Sequence, residues 1–235
     1  MVVSPLLRGL LGLETDATSR QLRFAPHVPA GWNSFEVQNI RVAGSVVELK
    51  YRRTEEGITL EMRRTGSGDC AMEFSPALSP RAEVASTEIN GRPVAHRVER
   101  NPEDQHVVVR FPVYNGPSTL HLRLRNDFSY DISSSLPSLG ERSQGLRVLS
   151  ESWSPKNESL TVNVSGIPGK QYEFTLRNSG QIASIEGAKL IQGENGERRF
   201  CVELPGADSS SYVHGKILIH FTADDSAPKT GKRSR

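Results

Sequence analysis

A chain of 235 residues has room for one large domain or two ordinary ones, and 36% hydrophobic with 24% charged residues suits β-sheets that leave one face to solvent. Its formal net charge is +2, with Lys and Arg interleaved among Asp and Glu, which excludes the basic stripe that a nucleic-acid partner requires. No segment approaches the roughly 20 apolar residues of a membrane-spanning helix, and the two cysteines, Cys70 and Cys201, form neither a disulfide framework nor a zinc motif.

The first stretch, Met1 to Leu13, is apolar but lacks a basic start and a small-residue cleavage site, so it reads as folded structure and a cytoplasmic chain is expected. Ser4 and Pro5 make a helix-start signal, a capping residue before Pro. The helix runs from Leu6 to about Leu11, and Gly12 stops it. Two turns of apolar helix are not stable alone, so this segment needs something to pack on.

From Leu22 the period changes to two. Leu22 and Phe24 alternate with Arg23, and Phe35 to Val42 splits into two faces. Val46 to Tyr51 follows the Ala43-Gly44-Ser45 turn, and Ile58 to Arg63 follows Glu55-Glu56-Gly57, which together predict an antiparallel meander. Cys70 to Phe74 is a further strand. Ala82 to Ile89 and Pro93 to Val98 flank Asn90-Gly91, the strongest hairpin signal in the chain. His106 to Phe111 and Leu120 to Leu124 close this region.

Ser133-Ser134-Ser135, Pro137, Ser138 and Gly140 mark a linker, after which strands resume at Leu146, Leu160, Gln171, Lys189, Arg199 and Lys216. The expected fold is therefore all-β: two antiparallel β-sandwich domains, immunoglobulin-like or jelly-roll-like, with a short N-terminal helix. Residues 14–128 form the first, 129–145 the Ser/Pro linker, 146–222 the second and smaller one, and 223–235 a disordered basic tail.

The run Leu6-Leu7-Arg8-Gly9-Leu10-Leu11-Gly12-Leu13-Glu14-Thr15-Asp16-Ala17, followed by Leu22 to Pro29, Gly31-Trp32 and Val37 to Ser45, resembles the junction of bacterial six-hairpin glycosidases. These are (α/α)-barrel enzymes of the glycogen-debranching, amylo-α-1,6-glucosidase-like type. Thr15 stands where that family usually has Pro, and Gly31 where an acidic residue often precedes Trp. The resemblance implies that residues 1–13 are a remnant of the last barrel helix, and that Leu6, Leu7, Leu10, Leu11 and Leu13 pack on a barrel partner. In such enzymes the catalytic carboxylates come from barrel loops, none of which is present here, so no catalytic residue is carried over.

Glycoside hydrolysis needs two carboxylates facing each other across a sugar. The acidic residues here fall in turns or on solvent faces of strands, and nothing in their spacing pairs them. Trp32 and Trp153 are the candidates for stacking on a polysaccharide; core or corner packing is the competing role, with Pro26 and Pro29 bracketing the corner before Trp32. The six histidines have no Ser or acid partner at motif spacing, and neither a metal nor a cofactor is implied. The function expected is a non-catalytic accessory region of a glycoside hydrolase that supports a catalytic barrel. The alternative is a stand-alone carbohydrate-binding or adhesion-type module.

Overall fold

The computed structural model describes residues 6–132, 137–141, 143–193, 198–206 and 212–222. Ser4 and Pro5, the serines at 133–135 and the tail from 223 lie outside the described residues. Strands make up most of the described residues, with almost no helix. In order these are β1 (Leu13–Asp16), β2 (Gln21–Phe24), β3 (Ser34–Val42), β4 (Ser45–Thr54), β5 (Gly57–Gly66), β6 (Ala71–Phe74), β7 (Ala77–Leu78), β8 (Glu83–Ile89), β9 (Arg92–Pro93), β10 (His96–Arg100), β11 (Gln105–Pro112) and β12 (Gly116–Arg125). Then follow β13 (Ser129–Ile132), β14 (Arg147–Trp153), β15 (Ser159–Gly166), β16 (Gln171–Arg177), β17 (Ile182–Glu186), β18 (Lys189–Gln192), β19 (Arg198–Glu203) and β20 (Val213–Phe221).

Four sheets pack as two sandwiches. In the first, β1-β2-β6-β11-β10, with β7 beside β11, faces β3-β4-β5-β12-β8-β9 across a core of Phe24, Tyr51, Leu60, Met72, Phe74 and Leu122. In the second, β13-β16-β19-β18 faces β14-β15-β20-β17 across Phe174, Phe200, Val162, Ile217 and Ile219. Strand pairs are antiparallel apart from β2 and β6, which run parallel from Gln21 beside Ala71 to Phe24 beside Phe74. The period-two pattern explains the core directly: in β4 Val47, Leu49 and Tyr51 point inward while Glu48, Lys50 and Arg52 face solvent. Both cysteines are free, Cys70 buried and Cys201 half-buried. No described helix is long and apolar enough to cross a membrane.

Several boundaries differ from those the sequence suggests. Leu6–Leu10 is a single π-helical turn closed by the Leu11 amide on the Leu6 carbonyl at 3.1 Å. Gly12, at φ 54°, then reverses the chain, and a Cβ there would lie 2.4 Å from the Ala25 carbonyl oxygen, so only glycine fits. Leu13 belongs to β1, not to the helix. The Asn90-Gly91 turn makes its hairpin, but β9 is only two residues long, because Pro93 has no N–H to extend the ladder. The chain then crosses to the opposite sheet, where His96–Arg100 pairs with β11. Ser129–Ile132, at the start of the expected linker, is instead an edge strand on β16.

Candidate functional site

Alternation in β4 continues past Tyr51 and places Arg53 on the core face, where it is only 8% exposed. A guanidinium there needs a counter-charge. Asp127, fully buried at the end of the first sandwich, supplies it: Arg53 Nε donates to Oδ2 at 3.0 Å and Nη2 to Oδ1 at 2.8 Å and Oδ2 at 2.6 Å. Arg53 Nη1 also donates to the Ala77 carbonyl at 3.2 Å, and the Ser79 amide to Asp127 Oδ1 at 3.2 Å. Burial pushes the Arg53 guanidinium down, but the Asp127 carboxylate and the Tyr51 phenol together hold it above its ordinary value.

This pair sits where the two sandwiches meet. Asn178, in the left-handed region at φ 54°, donates its side-chain amide to the carbonyls of Asp127 (3.0 Å) and Glu55 (3.2 Å). Arg177 donates to Ser129 Oγ at 3.0 Å, to Asn33 Oδ1 at 2.5 Å and to the Ala30 carbonyl at 2.5 Å. Burial, and then the neighbouring Arg53 charge, push the Arg177 guanidinium below its ordinary value. From the first sandwich Arg81 reaches across to Gln181 Oε1 (2.8 Å), the Asn157 carbonyl (2.6 Å) and the Thr222 carbonyl (3.2 Å), with its guanidinium carbon 4.7 Å from the centre of the Phe221 ring.

Two of the clefts at this junction bear on the candidate residues. The wider, about 730 Å³, is lined by Arg52, Glu55, Asp131, Arg177 and Arg198 among others. The narrower, about 220 Å³, brings Trp153, Tyr130 and Glu151 of the second sandwich to His27, Glu103 and Asp104 of the first. Tyr130 donates its hydroxyl to Glu151, and burial first, then this bond, push the Tyr130 phenol well above its ordinary value. Asp104 accepts from Asn101 Nδ2 at 2.8 Å. Glu151 and Asp104 are thus each engaged by a neighbour.

Trp153 is half-buried, stacked on Phe221 at 5.5 Å and edge-on to Phe128 at 6.5 Å, so one of its faces is covered. Trp32 is 42% exposed on the corner between β2 and β3, its amide bonded to the Pro29 carbonyl at 2.9 Å and its ring 6.4 Å from Phe35. It lines neither cleft, so the two tryptophans form no common platform.

The five leucines do not make one exposed patch. Leu11 is 4% exposed inside the first core, Leu7 and Leu13 pack against that core, Leu10 is half-buried, and Leu6 is 40% exposed. The cause is the Gly12 reversal, which Ala25 and His27 clamp by donating their amides to the carbonyls of Gly12 (3.1 Å) and Leu10 (2.9 Å). A groove of about 820 Å³ remains between this turn and β3, in which Leu7, Leu13, Val37 and Ile40 lie among polar and charged side chains that include Arg8, Glu14, Asp16, Arg23 and Arg41.

Two features escaped the sequence. Arg53 is signalled there by its place in the buried register of β4, but its partner lies 74 residues away. The proximity of His27, Asp104 and His106 rests on topology alone, since the three come from opposite ends of one sheet's connections.

Comparison with known proteins bears on the first sandwich. Residues 16–75 match the family model of the glycosyl hydrolase family 65 C-terminal domain. That stretch holds β2 to β6, hence the parallel β2–β6 pair and the whole β3–β5 meander. No curated protein matches the chain. Across the strands from β2 to β6 the protein is therefore similar to the C-terminal domain of family 65 glycosyl hydrolases.

Proposed function

We propose that this chain is a non-catalytic C-terminal region that packs on and supports an (α/α)-barrel glycosidase of glycogen-debranching-like type. The observation that carries it is the match of residues 16–75 to a glycosidase C-terminal domain. Two features support the barrel contact: the exposed Leu6, and the adjoining mixed polar and apolar groove that Leu7, Leu13 and Val37 help line. The sandwiches act as a rigid buttress, held to each other by buried arginines. A second reading, a carbohydrate-binding module, draws on the half-exposed Trp32 ring.

The purified chain is expected to leave aryl glycosides uncleaved and to migrate unretarded in gels containing glycogen, starch or xylan. Release of aglycone that survives repurification would overturn the non-catalytic role. Retardation that disappears in Trp32→Ala would favour the binding module.

A further inference from the structure

We propose that His27, Asp104 and His106 form a divalent transition-metal site, of the kind zinc occupies, at the edge of the narrow cleft between the sandwiches. Asp104 Oδ2 lies 3.4 Å from His106 Nε2 and 3.8 Å from His27 Nδ1, and the three ligand atoms lie within 4.8 Å of one another. A tetrahedral zinc ion with bonds of about 2.0–2.1 Å sets its ligand atoms about 3.3–3.4 Å apart. The cluster has that spacing to within a small movement of His27, whose side chain is 68% exposed and free to make it.

The fold builds this proximity. Strands β2 and β11 are separated only by β6, and Ala77 in β7 ties their ends together. Its amide donates to the Pro26 carbonyl at 3.1 Å, and it is the register partner of His106. His27 follows Pro26, and Asp104 closes the turn before β11 with its carbonyl accepting from the Asn101 amide at 2.9 Å.

Neighbouring bonds also preset two of the three ligands. His106 Nδ1 faces the Ser75 carbonyl at 2.9 Å. The Ser75 hydroxyl lies 3.3 Å from the same nitrogen, so Nδ1 is engaged by Ser75 and Nε2 is the ring atom that faces Asp104. Asn101 Nδ2 fixes Asp104 Oδ1 at 2.8 Å and leaves Oδ2 to face the imidazoles. Such supporting bonds orient metal ligands and set the histidine tautomer.

Two imidazoles and one carboxylate select zinc or a similar first-row ion over magnesium or calcium, which prefer oxygen. Three protein ligands leave a fourth position for water or for a polar group of a molecule in the cleft, toward which Glu151, Tyr130 and Trp153 also project. Because the ligands are 77 residues apart, the ion clips the β2–β3 corner to the β10–β11 turn.

The test is equilibrium dialysis of the untagged full chain against Zn²⁺, with Co²⁺ absorption as the geometric readout. One saturable ion per chain is expected, with a visible Co²⁺ band of tetrahedral strength. His27→Ala and Asp104→Asn should each weaken uptake by at least about tenfold and abolish that band, while Cys201→Ser keeps both. His27 is a surface side chain, so its loss does not threaten the fold, and circular dichroism checks each variant. Absence of saturable uptake by the wild-type chain would overturn the site, as would uptake unchanged in both ligand variants.

Discussion

Replacing Arg53 by alanine is expected to destabilise the protein by about 3–5 kcal/mol, the cost of leaving a buried carboxylate without its counter-charge. Asp127 is 0% exposed, so water cannot take over, and the Ser79 amide would be the other donor left on its carboxylate. The same loss removes the guanidinium contact with the Ala77 carbonyl and opens a space beside Tyr51. For a chain of this size the melting temperature should fall by about 6–20 °C. Replacing both partners with apolar residues of similar shape, Arg53→Met with Asp127→Leu, should recover much of it, because an absent pair costs less than a broken one. Urea unfolding of the wild type and these two variants measures this. A loss below about 1 kcal/mol for Arg53→Ala would mean the pair behaves like an exposed salt bridge, against its burial.

Arg81→Ala should act differently, on the coupling between the sandwiches more than on either core. Its guanidinium holds Gln181, the Asn157 and Thr222 carbonyls and the Phe221 ring, all in the second sandwich. Hydrogen bonds from a charged donor contribute about 1.5–3 kcal/mol each in favourable cases, and removing a buried donor leaves its acceptors without a partner. The expected loss is about 3 kcal/mol or more. Calorimetry should show the more telling change: a single cooperative transition in the wild type separating into two in the variant, as each core melts by itself. Two transitions already present in the wild type, or one retained in Arg81→Ala, would contradict a junction held by this residue.

What could be read beforehand follows from how far each interaction reaches along the chain. The β3–β5 meander was legible because Val47, Leu49, Tyr51, Ile58, Leu60 and Met62 alternate with charged residues and short turns join the strands. The all-β, two-sandwich class followed from the same signal. Strands β13 and β17 were not legible: Ser-Tyr-Asp-Ile is an edge strand with no fully buried position, and Ile-Ala-Ser-Ile-Glu carries too few large apolar residues to announce its register. The fate of Leu11 turned on Gly12, whose positive φ lays the turn back on β2 and buries a side chain that helical periodicity would assign to a neighbour. The buried arginines of the first sandwich gave a partial signal. Arg53 and Arg64 occupy core-face positions of β4 and β5, which marks them as paired or capped, yet sequence spacing cannot name Asp127 or the Gly68 carbonyl as partners. The His27, Asp104 and His106 cluster gave none, since its residues meet only through the β2-β6-β11 order.

The proposal that this β-region serves a catalytic barrel is tested most directly by sequencing the transcript and genomic DNA upstream of the Met1 codon. The account predicts coding sequence for an (α/α)-barrel there, in the same frame or as an adjacent co-transcribed gene whose product co-purifies with this chain. Unrelated genes on that side, together with a chain that purifies from its source without a barrel polypeptide, would contradict it.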